Sequence, residues 1–256
     1  MLQAHSPLWH YLWLAPNVLL LTLAFLIWKN GLLRTIPAFF AFALLSPLCQ
    51  FALYIADVAP FITAENFWRV DWASLLIEGP LKFAVVAEIF ARVFGSYDSL
   101  ARLGRLLIRG VGIALALAAA LAAAYAGKDS LFGIIAGAHL LEQTIALITT
   151  GLLLFIFVFA AYFRLRPAGA ILGIALGLAI ASCIHLAIRA VAANAGLPTE
   201  RRYILDFIDM SGSHIAVLIW FYYLIVPRDL ATKPVIPLPE NNLDVWNREL
   251  ERLVHQ

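Results

Sequence analysis

The chain predicts an all-α, polytopic membrane protein: a bundle of seven transmembrane helices followed by a short amphipathic C-terminal helix. Three observations lead there. Hydrophobic residues fill 63% of the 256 positions and charged residues only 13%. The mean hydropathy is +0.88, and a soluble domain rarely combines such values. The apolar residues also gather into seven segments, each near the about 20 residues that cross a hydrocarbon core.

Taken in order, the first segment runs from about Tyr11 to Trp28 and contains Pro16 and Asn17. It lacks a basic n-region and a small-residue cleavage site, so it is expected to stay as a span. The second covers about Ile36 to Val58, with Pro37 near its start and Pro47 inside. The third, about Trp72 to Phe94, carries Glu78, Gly79, Pro80, Lys82 and Glu88. The fourth, about Leu106 to Ala126, is dominated by alanine. The fifth, about Leu131 to Phe163, exceeds one crossing and must tilt or project. The sixth is about Ala168 to Ala193 and the seventh about Tyr203 to Val226. Residues 1–227 are read as one transmembrane domain and 228–256 as a cytoplasmic tail. In that tail Pro234, Pro237 and Pro239 give an extended linker. Asn241 to Gln256 then places Leu243, Trp246, Leu250, Leu253 and Val254 at helical spacing. Such a helix can lie on the membrane surface or serve as a handle for a cytoplasmic partner.

Basic residues set the orientation. Lys29, Arg34, Arg102, Arg105, Arg164, Arg166, Arg228 and Lys233 fall on one side; Arg69, Lys128, Arg201 and Arg202, offset by Glu65, Asp71, Asp129 and Glu200, fall on the other. The N-terminus is therefore expected outside and the C-terminus in the cytoplasm, with the bundle in the inner membrane. Trp9, Trp13, Trp68 and Trp72 mark outer ends, and Trp28, Trp220, Tyr222 and Tyr223 inner ends. No basic block interleaves with aromatics, which excludes nucleic acid as a partner. Cys49 and Cys183 sit mid-segment and read as small buried hydrophobes.

Ionisable groups at membrane depth are costly and face the bundle interior or a cavity. With this topology, four helices deliver them to one outer layer. The third brings Glu78 and Lys82, an i,i+4 pair with Pro80 between them; the fifth brings His139, Glu142 and Gln143. The sixth brings His185 and Arg189, and the seventh Asp206, Asp209 and His214. Arg189 cannot shed its charge and needs a carboxylate, with Glu142, Asp206 and Asp209 as candidates. Glu88 and Arg92 repeat the Glu78–Lys82 spacing and read as an interfacial pair without special role. On the sixth helix Gly169, Gly173, Gly177, Ala181, His185 and Arg189 recur every fourth residue, a packing seam of small residues that opens into a polar pocket.

Two cofactor readings arise from these residues. His139, His185 and His214 with Glu142 or Asp209 could hold zinc or iron and activate water, and haem between two of these histidines is a weaker variant. Membrane hydrolases similar to alkaline ceramidase use three histidines on seven helices, but with an HxxxH pair on the last; here Met210 and Leu218 occupy those positions around His214. The seven spans also look superficially similar to a microbial rhodopsin. Retinal in that family needs a lysine on the seventh helix, which this chain lacks; Lys82 is on the third.

The runs Trp13-Leu-Ala-Pro16-Asn17, Phe67-Trp68-Arg69, Ile77-Glu78-Gly79 with Lys82-Phe83-Ala84, His139-Leu-Leu-Glu142-Gln143, Phe159-Ala-Ala-Tyr-Phe163, Leu205-Asp206-Phe207 and Trp220-Phe-Tyr-Tyr-Leu resemble an uncharacterised seven-helix membrane protein family of acidobacteria. The resemblance spans the chain and implies the topology, with no activity attached. The expected function is a non-enzymatic sensor or receptor-like module, requiring no cofactor. It would meet a small polar or anionic ligand, or a proton, at Arg189, Lys82 and the histidines. The alternatives are a metal-dependent membrane enzyme on the three histidines and a proton-coupled transporter. The latter finds no internal repeat in the sequence.

Overall fold

The computed structural model describes residues 5–95, part of 102–124, 131–162, 165, 167–194, 199–225 and 241–254. Capping chemistry explains where the helices begin. Ser6 accepts the amide of Trp9 and Pro7 occupies the first turn, starting α1 at Pro7–Lys29. Gly31, at φ 70°, turns the chain through a short 3-10 segment, Leu32–Arg34, and Pro37 opens α2, Pro37–Val58. Thr63 accepts the amide of Asn66, so α3 spans Ala64–Phe94, about two turns earlier than its apolar stretch predicts. Described residues between 102 and 124 are helical, with an unbroken run at 109–114 (α4). Then follow α5, Leu131–Tyr162, α6, Gly169–Asn194, and α7, Thr199–Ile225. The amphipathic α8 is Asn241–Val254. Among the described residues there is no strand.

Five of these helices, α1, α2, α5, α6 and α7, are long and apolar enough to cross a membrane, which makes this a membrane-embedded type of chain. Of the charges that lower the hydropathy of α3, Glu78 is turned inward, at 7% exposure, while Glu65 and Arg69 in its first turns are exposed. The fourth expected span is described only in part. The proline-rich linker at 228–240, Lys128, Asp129, Arg164 and Arg166 lie outside the described residues.

The packing order closes a ring. α1 lies against α2, α2 against α3, α3 against α5, α5 against α6, α6 against α7, and α7 returns to α1. Val111 of α4 packs outside this ring on Phe83, Leu141 and Ile145 of α3 and α5. The largest hydrophobic cluster fills one end of the ring, with Leu23 and Ile27 from α1, Phe39 from α2, Ile89 and Phe94 from α3, Leu153 from α5, Ile174 from α6 and Trp220 from α7. This is the end where α1 and α3 finish and α2 and α6 start.

The glycine row explains how α6 and α7 approach so closely. A Cβ on Gly173 would fall 2.2 Å from Tyr223 Cβ, and one on Gly177 2.3 Å from the indole nitrogen of Trp220. Neither position tolerates a larger residue without moving α7. The same approach lets Trp220 Nε1 donate to the carbonyl of Ile174 at 3.1 Å. Trp220 is therefore 3% exposed, which corrects its expected place among interfacial aromatics: the space vacated by glycine draws it into the core. The expectation for the cysteines also changes, since Cys49 is only half-buried and Cys183 is exposed, each as a free thiol.

Candidate ligand cavity

The opposite end of the ring is hollow. A cavity of about 370 Å³ opens there, lined by residues from α1, α2, α3, α5, α6 and α7. It reaches from the starting halves of α1, α3, α5 and α7 and the finishing halves of α2 and α6 into the middle of the bundle, where Leu20, Phe42, Leu178, Val217 and Trp220 of the core cluster close it. Its size falls in the range of small-molecule sites, roughly 300–1,000 Å³.

The ionisable groups form two paired sets. On α3, Glu78 Oε2 lies 3.5 Å from Lys82 Nζ, while Glu78 Oε1 accepts a 3.0 Å hydrogen bond from Gln50 Nε2 of α2. The second set joins α5, α6 and α7. Arg189 Nη2 donates to Glu142 Oε1 at 2.7 Å, which selects Glu142 among its three candidate carboxylates. His185 stands between two acids, Nε2 at 3.1 Å from Glu142 Oε1 and Nδ1 at 2.9 Å from Asp209 Oδ2. A ring with a carboxylate on each nitrogen donates from both, which is the imidazolium form. His139 Nδ1 lies 3.4 Å from Arg189 Nη1 and 3.5 Å from Glu142 Oε2; its ring also packs edge-on against Trp68.

Of the ten residues expected at the site, Glu78, Lys82, Glu142, His185 and Asp209 line the cavity. Arg189 and His139 stand behind Glu142 and hold it in place. Gln143 and Asp206 are exposed, on the outer side of their helices. His214 is half-buried beside the ring of Tyr11, with centroids 5.9 Å apart, and its Nδ1 is buried without a partner among the described residues. The three histidines thus do not converge. Among the described residues no group of three metal-ligating side chains is placed to hold an ion.

Sequence reasoning missed the contributions of α1 and α2: Trp13, Asn17, Ser46 and Gln50 all line the cavity. It also treated Asp71 only as a loop charge, whereas Asp71 and Ser74 line the same wall. The signal was present, because Asp71, Ser74, Glu78 and Lys82 step along α3 at intervals of three or four and form one stripe. Likewise Ser46, Gln50 and Tyr54 recur every fourth residue on α2.

Glu88 and Arg92 gain a role the sequence did not offer. They pair at 3.7 Å, and Glu88 Oε2 also accepts the amide of Phe39 at 3.1 Å. Ile36 gives α2 no side-chain cap, so a carboxylate from α3 caps α2 instead. Within a bilayer no water could do so.

No protein-family model, no curated protein and no solved structure matches the chain.

Proposed function

We propose that the protein is an integral inner-membrane sensor or receptor-like module. It crosses the membrane seven times with its N-terminus outside and its C-terminus in the cytoplasm, and it takes a small polar ligand into the cavity at the outer end of the ring. The observation that carries this reading is the cavity itself, a space of about 370 Å³ walled by side chains from six helices. A polar hollow in a lipid-embedded bundle has no structural use that an apolar filling would not serve better. The resident Arg189 and Lys82 are already paired with Glu142 and Glu78, so a ligand would work by shifting these pairs. Such a shift would move α6 against α5 and α7 and reach the tail through the tightly packed α6–α7 seam.

The test uses the full chain in lipid nanodiscs, with Cys49 and Cys183 replaced and an environment-sensitive fluorophore at Trp246→Cys on α8. Stepping pH, or adding a panel of amines, carboxylates and amino acids, should change the label's emission. Arg189→Ala should abolish that change while helical content is retained. A label indifferent to every solute and pH step, or a variant that responds like the parent, would sink the sensor reading.

A further inference from the structure

The charges around the cavity do not balance. Four carboxylates line it, Asp71, Glu78, Glu142 and Asp209, and three cations answer them: Lys82 on Glu78, Arg189 on Glu142, and the His185 imidazolium between Glu142 and Asp209. Asp71 is the remainder. It makes no hydrogen bond or contact ion pair with any described residue, although it is half-buried in the wall. Arg189 and His139 act on it only from beyond contact and are opposed by Glu142 and Glu78; a carboxylate withdrawn from water without a counter-charge in contact is unfavourable, and an added positive charge beside it relieves that cost.

A second observation is independent of charge. Thr149 is 0% exposed and lines the same cavity, yet its hydroxyl has no partner among the described residues. Other hydroxyls in these helices are satisfied by the carbonyl one turn back: Ser74 by Val70, Thr144 by Leu140 and Ser211 by Phe207. Thr149 is an exception, as is the adjacent Thr150, and the Thr149 oxygen is left to whatever enters the deeper part of the cavity. The indole nitrogen of Trp13, also on the wall, is likewise without a described partner. Finally, Trp13, Phe42, Phe67 and Trp220 supply aromatic surface to the lining, which attracts organic cations through their ring faces.

Resting on the reading of the cavity as a ligand site, we propose that its ligand is a small organic monocation of the alkylammonium class. Its nitrogen pairs with Asp71, and the rings of Trp13 and Phe67 at the same end of the cavity flank it.

The experiment titrates the full chain in nanodiscs with tetramethylammonium and ethanolammonium, taking acetate and ethylene glycol as anionic and neutral counterparts. Binding is read by calorimetry and by tryptophan fluorescence. Both ammonium ions should bind and neither counterpart should. Asp71→Asn, which keeps the shape of an unpartnered side chain, should weaken both by about thirtyfold or more, and Asp71→Glu should restore most of the loss. Thr149→Val, roughly 18 Å deeper along the bundle than Asp71 by the helical rise, should leave the binding of both unchanged. Equal binding to Asp71→Asn overturns the proposal. Acetate binding that depends on Lys82 or Arg189 overturns it while leaving the cavity a ligand site. If no probe binds but pH steps still move the α8 label, the deficit is met by a proton and only the sensor reading stands. If neither occurs, both fail.

Discussion

At one end of the ring Leu23, Ile27, Phe39, Ile89 and Phe94 fill the space between helices almost completely. At the other end the same helices surround an open cavity of about 370 Å³. Helix α3 runs through both and carries the same motif in each, a glutamate followed four residues later by a cation. At the filled end Glu88 binds Arg92 and the amide of Phe39, and so finishes a neighbouring helix. At the hollow end Glu78 binds Lys82 and Gln50 and becomes wall. The motif is identical, and what differs is the partner offered by α2: a helix start with unsatisfied amides in one case, a polar side chain in the other. A local charge pair in a membrane helix therefore says that its neighbours are polar, without saying whether they are structural or lie on a cavity.

The contrast between the ends can be broken by substitution, and each variant below is read by thermal unfolding in detergent. The largest effect belongs to Glu142→Ala, which leaves Arg189 and His185 without their shared carboxylate. Removing one partner of a buried ionic cluster costs about 3–5 kcal/mol. A cost near zero would mean that the hollow end is wet enough to screen its charges. Next comes Gly177→Val, whose new side chain would meet the ring of Trp220; overpacking of this kind costs up to about 3 kcal/mol. An unchanged melting temperature would show that α7 can yield and that the seam is loose. Glu88→Ala should cost about 2 kcal/mol through the lost charged hydrogen bond to Phe39, with no effect on any solute response. If it altered that response, the two ends would not be separable. The smallest effect is expected from Arg69→Ala. Its pairing with Glu65 is exposed on the surface and contributes at most about 1 kcal/mol.

Helix placement was legible because apolar length and terminal chemistry are local. The prediction of Ala168 to Ala193 for α6 lies within one residue of Gly169–Asn194, and that of Leu131 to Phe163 for α5 comes as close to Leu131–Tyr162. The start of α3 was missed because Ala64 to Asp71 is polar, although Thr63 and Glu65 mark a helix start. Within the cavity, the residues that stood out were those whose charge is costly in lipid: Glu78, Lys82, Glu142, His185 and Asp209. Gln50, Asn17 and Ser46 carry no charge, and a lone neutral polar residue in an apolar helix does not reveal which way it faces. Neither could spacing tell which carboxylate Arg189 takes. That choice depends on the rotation of α5 and α7 about their axes, which the packing of the whole ring sets.

The bond from Trp220 to the carbonyl of Ile174 gives α6 and α7 a shared joint in a medium with no water to replace it. A push delivered where His185 meets Asp209 would not be absorbed by slippage between the two rods. They would swing together like the blades of closed scissors, with the rivet at the indole, and carry a small displacement undiminished across the thickness of the bilayer.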